Sequence, residues 1–210
     1  MHTNIDTIIF DLGGVLVDWN PTYLYRKIFN KNEEKLNWFL QNVCTNEWNA
    51  AQDAGRSITK ANALKVAEFP EYKNEILSFY KRWNEMFAGP ITENVELFKK
   101  LKASGNYKIY ALTNWSAEKW DEGIKLFPFF NDFDGVVVSG QEGMRKPFLD
   151  IYKLILKRYN IDPKKTIFID DNRENIEAAN LLKINGIHYT KELDLPKEVN
   201  CIIKNSIKSK

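Results

Sequence analysis

The stretch IIFDLGGVLVDWNP, residues 8–21, decides how the rest of the chain is read. With Thr7 ahead of it, Ile8-Ile9-Phe10 is an apolar, β-branched run of the kind that forms a strand buried on both faces. It stops at a single carboxylate, Asp11. Leu12-Gly13-Gly14 follows, and two glycines in succession let the backbone turn sharply and approach a ligand closely. Val15-Leu16-Val17 is apolar again, so the chain does not leave the core through a solvated loop. A carboxylate at the carboxyl end of a central parallel strand stands where open α/β sheets assemble their sites. Taken alone, Asp11 could equally cap a turn, and the choice falls to the remaining sequence.

The chain has 210 residues, 44% of them hydrophobic and 28% charged, with a formal net charge of +2. That length holds one domain, or one domain with an insertion, and can bury a sizeable core. The near-balanced charge gives no electrostatic case for a nucleic-acid or membrane partner. No apolar run approaches the ~20 residues that span a bilayer. Met1-His2-Thr3-Asn4 leads straight into the first strand without a signal peptide, and Lys204–Lys210 is expected to be a frayed polar terminus. Cys44 and Cys201 lack metal-ligand spacing and suit a reducing compartment. A cytoplasmic protein is expected, as a monomer or homodimer.

Beyond the first strand, residues 18–89 read as helical. Asn20-Pro21 is a helix start; Tyr23, Leu24, Ile28 and Phe29 give it an apolar face. Leu36, Phe39, Leu40 and Val43 recur at helical spacing. Thr59 is expected to cap a helix carrying Ala63, Leu64 and Ala67, and Ile76, Leu77, Tyr80, Trp83 and Phe87 mark a fourth. No strand pattern intervenes before Gly89-Pro90. From residue 91 the texture alternates. Thr92 caps a helix ending near Gly105, Lys108–Leu112 is a strand, and Trp115–Leu126 can form a helix. Val136–Val138 is a strand, Pro147 opens a helix, Thr166–Ile169 is a strand, and a helix through Ile176, Ala179 and Leu182 leads to a last strand at Gly186–Tyr189. Alternation of this kind implies a parallel sheet of the α/β class with right-handed crossovers. The expected organisation is a core of residues 1–17 and 90–210 with an inserted α-helical cap at 18–89, placed beside the edge where Asp11 lies.

The strands end in polar residues of a particular kind. The first gives Asp11, the second Thr113-Asn114 and the fourth Asp170-Asp171, while Lys146 precedes Pro147 at a helix start. Strand ends of a parallel sheet converge, so these residues can share one pocket. Three carboxylates brought together repel, and a hard divalent cation such as Mg²⁺ resolves that repulsion with oxygen ligands. Thr113 and Asn114 offer donors for phosphate oxygens, Lys146 a point charge, and the helix start free N–H groups. Each has a plainer reading: a turn at Thr113-Asn114, a solvated Lys146, a capping cluster at Asp170-Asp171-Asn172. Their recurrence at three strand ends argues for a site.

With those residues in view, the chain resembles the haloacid dehalogenase superfamily, in the branch with a helical cap after the first motif. FDLGGVLVD at 10–18, ALTN at 111–114, GMRKP at 143–147 and FIDDN at 168–172 match its four motifs in order. The resemblance implies a Rossmann-like, doubly wound core and a Mg²⁺-dependent phosphatase that hydrolyses a small phosphorylated metabolite, sugar phosphates among the candidates, through an aspartyl-phosphate. Carried over by position, it makes Asp11 the nucleophile and a metal ligand, Thr113 the holder of the transferring phosphoryl group and Asn114 its neighbour toward substrate. Lys146 offsets charge on nucleophile and phosphate. Asp171 is a direct metal ligand, Asp170 a second carboxylate near the metal, and the Gly13 main-chain carbonyl a further ligand.

Gly13 also departs from the pattern. Many phosphatases of the superfamily carry a second aspartate there as general acid–base, a role worth about 10²–10⁴-fold. Its loss favours better leaving groups, and Asp18 is no evident substitute. Two other readings therefore stand beside the phosphatase: a metal-free 2-haloacid dehalogenase-type hydrolase, against which the Asp170-Asp171 pair speaks, and a catalytically weakened binding protein. Trp19, Trp48, Asn49 and Arg56 are cap residues that can face substrate, although aromatics at helical spacing more commonly form cap core. His2 and His188 have no partner spacing.

Overall fold

The computed structural model describes residues 4–208. In chain order its elements are strands β1 (Thr7–Phe10) and β2 (Val17–Trp19) and helices α1 (Thr22–Ile28), α2 (Glu33–Asn42), α3 (Asn46–Asp53), α4 (Ile58–Glu68) and α5 (Lys73–Lys81). Strand β3 (Phe87–Pro90), helix α6 (Thr92–Ser104), strand β4 (Lys108–Thr113), helix α7 (Trp120–Leu126) and strand β5 (Gly135–Val138) follow. The chain finishes with α8 (Ser139–Glu142), α9 (Leu149–Arg158), β6 (Thr166–Asp170), α10 (Arg173–Leu181), β7 (Asn185–His188) and α11 (Leu195–Lys208).

Five strands form one sheet in the order β5-β4-β1-β6-β7, all parallel. The first strand is central, and the chain winds outward from it in both directions, which is the expected Rossmann-like arrangement. A ligand crevice opens at the carboxyl edge where the winding reverses, between β4, β1 and β6. The pleat divides the core. Ile8 and Phe10 of β1 pack with Ile109, Ala111, Ile167 and Ile169 on one face. Ile9 packs with Tyr110, Leu112, Val137 and Phe168 on the other. Every residue of β1 is buried, as its unbroken apolar run requires.

Helices α1, α2, α4 and α5 answer the four apolar patterns of the sequence, whereas α3 was not expected. The last pattern stops being α-helical at Lys81 with Phe87 already in β3, and the ribbon framing the helices was not foreseen. β2 and β3 pair antiparallel, Val17 opposite Pro90 and Asp18 opposite Gly89, with a register shift at Asp18/Trp19. The ribbon straddles the expected boundaries at residues 17/18 and 89/90. Three residues on one side and a Gly-Pro pair on the other carry too little strand pattern to be read locally.

Several helix ends also differ from the sequence reading. Ser57, not Thr59, caps α4 by accepting a hydrogen bond from Lys60 N. The cap position of α6 is Ile91, so Thr92 is its first helical residue. Asn20 accepts from Thr22 N just ahead of α1. The stretch from Trp115 is α-helical only from Trp120, after a 3₁₀ turn at Ala117–Lys119. The helix expected to open at Pro147 begins two residues later, at Leu149. Lys204–Lys208, expected to fray, lies within α11, whose Leu195 and Val199 are buried; residues 1–3 and 209–210 are outside the described residues. Gly105 ends α6 in the left-handed conformation, φ 67°, as expected. Both cysteines are free thiols, and no helix of the described residues is long and apolar enough to cross a membrane.

Candidate active site

The polar residues expected at the strand ends meet at one place. Asp11 follows β1 directly, its N–H donating to Ile169 O of β6 at 2.8 Å, so its position is an extension of the sheet itself. Asp170 is the last residue of β6 and Thr113 the last of β4. Lys146 arrives on the loop between α8 and α9 and is 1% exposed. Its Nζ lies 2.9 Å from Asp11 Oδ1 and 2.6 Å from Asp170 Oδ2. Asp11, Asp170 and Asp171 each offer a carboxylate oxygen within 4.8 Å of the others.

The charge balance of this cluster is uneven. Three carboxylates face one ammonium, leaving two positive charges wanting. Burial pushes the Asp11 carboxyl well above its ordinary value, the Lys146 charge pulls it back, and Asp170 and Asp171 push it up again. Desolvation acts to lower Lys146, but the paired charges of Asp11 and Asp170 outweigh it and hold the ammonium above its ordinary value. Lys146 therefore stays charged. A hard divalent cation fits the donor set: oxygens only, close together and short of positive charge.

The surrounding bonds show which atoms are already committed. Asp170 is held from three directions, accepting from Lys146 Nζ, from Asn172 N at 2.8 Å and from Asn175 Nδ2 at 2.9 and 3.0 Å. Asp171 is exposed on the rim, and His188 Nε2 lies 3.0 Å from its carbonyl. Asn114 is used differently from the expectation of a substrate donor. Its Oδ1 accepts from Lys146 N at 2.9 Å and its Nδ2 donates to Lys146 O at 3.0 Å, a two-way clamp that fixes the lysine backbone to the end of β4. Thr113 is 1% exposed, and its hydroxyl has no hydrogen-bond partner among the described residues. An orphaned buried hydroxyl costs about 1–3 kcal/mol, which an anionic ligand accepting from it would offset.

The glycines after Asp11 divide the work. Gly14 has φ +74°, and a Cβ on it would overlap the Asp171 carboxylate. At Gly13 a Cβ would meet no atom within 4 Å. The bonds tying this turn together, Gly14 N to Val17 O and Val17 N to Leu12 O, bypass the Gly13 carbonyl. Gly13 borders an open cavity whose other walls include Trp19, Asn49, Asp53, Trp83 and Trp115. Of the four residues singled out in the helical block, Trp19 and Asn49 reach this cavity. Trp48 instead packs on Phe79 and Tyr80, and Arg56 donates to Gln52 Oε1 and Trp48 O. The indole N–H groups of Trp19 and Trp115 are buried without partners.

Two residues at the site escaped the sequence reading. Asn175 sits in the first turn of α10, five residues beyond Asp170, and helical spacing from the acidic pair was the available signal. Asp53, the last residue of α3, carried none, because only the docking of that helix brings it to the cavity.

A five-stranded parallel sheet with its first strand central, an aspartate following that strand and an acidic pair three motifs later define the class. The chain belongs to the haloacid dehalogenase-like hydrolases, whose family profile matches residues 5–182. It is 26% identical to a sesquiterpene phosphatase of Aspergillus oryzae over 203 residues, covering 97% of this chain and 99% of that one. It is 25% identical to a phosphorylated-carbohydrates phosphatase of Thermotoga maritima, covering 88% of this chain and 84% of that one. Among solved structures, a haloacid dehalogenase family enzyme of Bacteroides thetaiotaomicron, in complex with magnesium and inorganic phosphate, superposes with a TM-score of 0.67 at 26% identity, covering 91% of this chain and 97% of that one.

Proposed function

We propose that this hydrolase is a Mg²⁺-dependent phosphatase acting on a small phosphorylated metabolite through an aspartyl-phosphate on Asp11. The observation that carries the reading is the trio Asp11, Asp170 and Asp171, within 4.8 Å of one another and bridged at two members by a single buried lysine. Asp11 attacks phosphorus, forming a bond from its carboxylate oxygen while the ester oxygen departs. Thr113 Oγ1 donates to the transferring phosphoryl group, and Lys146 offsets charge on both partners. Asn114 acts through Lys146, whose backbone it fixes. A cation held by Asp11, Asp171 and the Gly13 carbonyl, with Asp170 behind them, would supply a Lewis acid for the phosphoryl oxygens. The magnesium and phosphate complex of the Bacteroides relative supports the choice of ion.

In this reading residues 18–89 form the cap that selects substrate and excludes water, over a core of residues 1–17 and 90–210. Aromatic walls interleaved with Asn49 and Asn114 suit a leaving group with apolar faces and polar edges. A sugar phosphate has that chemistry, and the carbohydrate-phosphate relative supports it. The test is phosphate release from a panel of sugar, terpenoid, nucleotide and acyl phosphates. Hydrolysis abolished by EDTA and restored by Mg²⁺ is expected. Halide release from 2-haloacids without metal, and no phosphate release, would overturn the reading.

A further inference from the structure

Gly13 leaves the site without a side chain to protonate a departing oxygen, and no atom stands within 4 Å of where one would begin. The next carboxylate along the chain, Asp18, accepts the Tyr23 hydroxyl at 2.9 Å on the β2 side of the ribbon and is not among the residues that border the cavity. Asp53 does border it, along with Gly13 and Asn114. Its position is fixed from both layers. The Asp53 carbonyl accepts from Ser139 Oγ at 2.5 Å, and that hydroxyl in turn accepts from Trp115 N at 2.9 Å. Asn49 Nδ2 donates to Asp53 Oδ2 at 3.1 Å, and Asn49 Oδ1 accepts the Tyr80 hydroxyl at 2.8 Å. The Ser116 N–H also donates to the Asp53 carboxylate.

We infer that Asp53 is the general acid–base of this enzyme, carried into the cavity by the helical block in place of the side chain missing at Gly13. The inference rests on the phosphatase reading. In the first step the Asp11 oxygen–phosphorus bond forms, the phosphorus–ester oxygen bond breaks, and the Asp53 proton passes to the departing oxygen. In the second, Asp53 takes a proton from water as the water oxygen bonds to phosphorus. The Asp11–phosphorus bond then breaks, giving phosphate and the free carboxylate. Burial pushes the Asp53 carboxyl up to about 7, against the pull of Arg145, Lys146 and the Ser116 N–H; Tyr80 is the other titratable group facing it. A carboxyl poised there can give a proton and take one back at neutral pH.

The test compares p-nitrophenyl phosphate, whose leaving group needs no proton, with a simple alkyl phosphate, using the full chain and Mg²⁺. Asp53→Asn should lose about 10²–10⁴-fold in kcat/KM on the alkyl ester. On the nitrophenyl ester it should keep a rapid first burst followed by slow turnover. Adding Gly13→Asp to that variant should recover alkyl-ester hydrolysis at least ~10-fold, a fraction of the acid's full effect. In the wild type, kcat/KM for the alkyl ester should fall above pH about 7 while that for the nitrophenyl ester does not. This last measurement needs no variant to fold. Equal losses on both esters, or a wild-type profile without that fall, would overturn the assignment while leaving the phosphatase intact. A folded wild type that hydrolyses neither ester nor any member of the phosphate panel would overturn both readings.

Discussion

The Asp171 carboxylate fills the space that a side chain on Gly14 would need, so the first motif and the last are complementary in shape as well as charge. Gly14 also holds φ +74°, where an L residue is strained by about 1–2 kcal/mol. Gly14→Ala should therefore lower the melting temperature by several degrees and weaken Mg²⁺ binding, because Asp171 must move. Gly13→Ala has neither obstacle and should melt with the parent. Calorimetry on both variants with and without Mg²⁺ checks the pair; equal behaviour would remove the distinction.

Lys146 is the one ammonium found between Asp11 and Asp170. Lys146→Met keeps length but leaves two buried carboxylates facing each other, a loss on the order of 3–5 kcal/mol. The deficit should be greater at pH 8 than at pH 5, since protonating a carboxylate relieves the repulsion. Urea melts at the two pH values measure it, and added Mg²⁺ should restore part of the stability.

Thr113 presents the opposite case. Its hydroxyl has no partner among the described residues, so Thr113→Val should change stability by less than about 1 kcal/mol, or raise it. Phosphate-ester hydrolysis should nonetheless fall about 10–100-fold, the worth of one hydrogen bond to a charged group. A strongly destabilised variant would mean that the hydroxyl already has a structural role.

Asp53 should leave a trace in stability independent of catalysis. Its carboxyl is raised to about 7, so the folded chain binds that proton more tightly than the unfolded chain does. Over the window from the ordinary carboxylate range up to about 7, the unfolded state binds fewer protons, and stability falls as pH rises. Screening at the open cavity mouth limits the effect to about 2 kcal/mol. Asp53→Asn, which cannot ionise, should lack this slope and match or exceed the parent above pH 8. Melting temperatures across pH 4–8 decide it.

The sheet was legible because each of its core strands is a short apolar run ending in a polar residue, a pattern fixed by burial on both faces. The grouping of Asp11, Thr113, Asp170 and Asp171 was legible for the same reason: a parallel sheet gathers its strand ends, and Lys146 joins them from the loop between α8 and α9. What stayed hidden depends on contacts between distant segments. The β2–β3 ribbon exists only because Phe87–Pro90 returns to Val17–Trp19. The clamp of Asn114 on Lys146 joins residues 32 apart. Asp53 reaches the cavity because Ser139, 86 residues on, holds its carbonyl. No local spacing encodes these.

The ribbon has a consequence for how this architecture can vary. The chain departs and returns through two hydrogen-bonded strands, so everything from residue 20 to residue 86 is a loop whose ends are already joined. Closing a longer or shorter loop across that doorway changes the entropic cost only logarithmically. Whole turns of helix could be gained or shed there without disturbing a single strand pairing beneath, and a new clientele would then require no rebuilding of the chemistry.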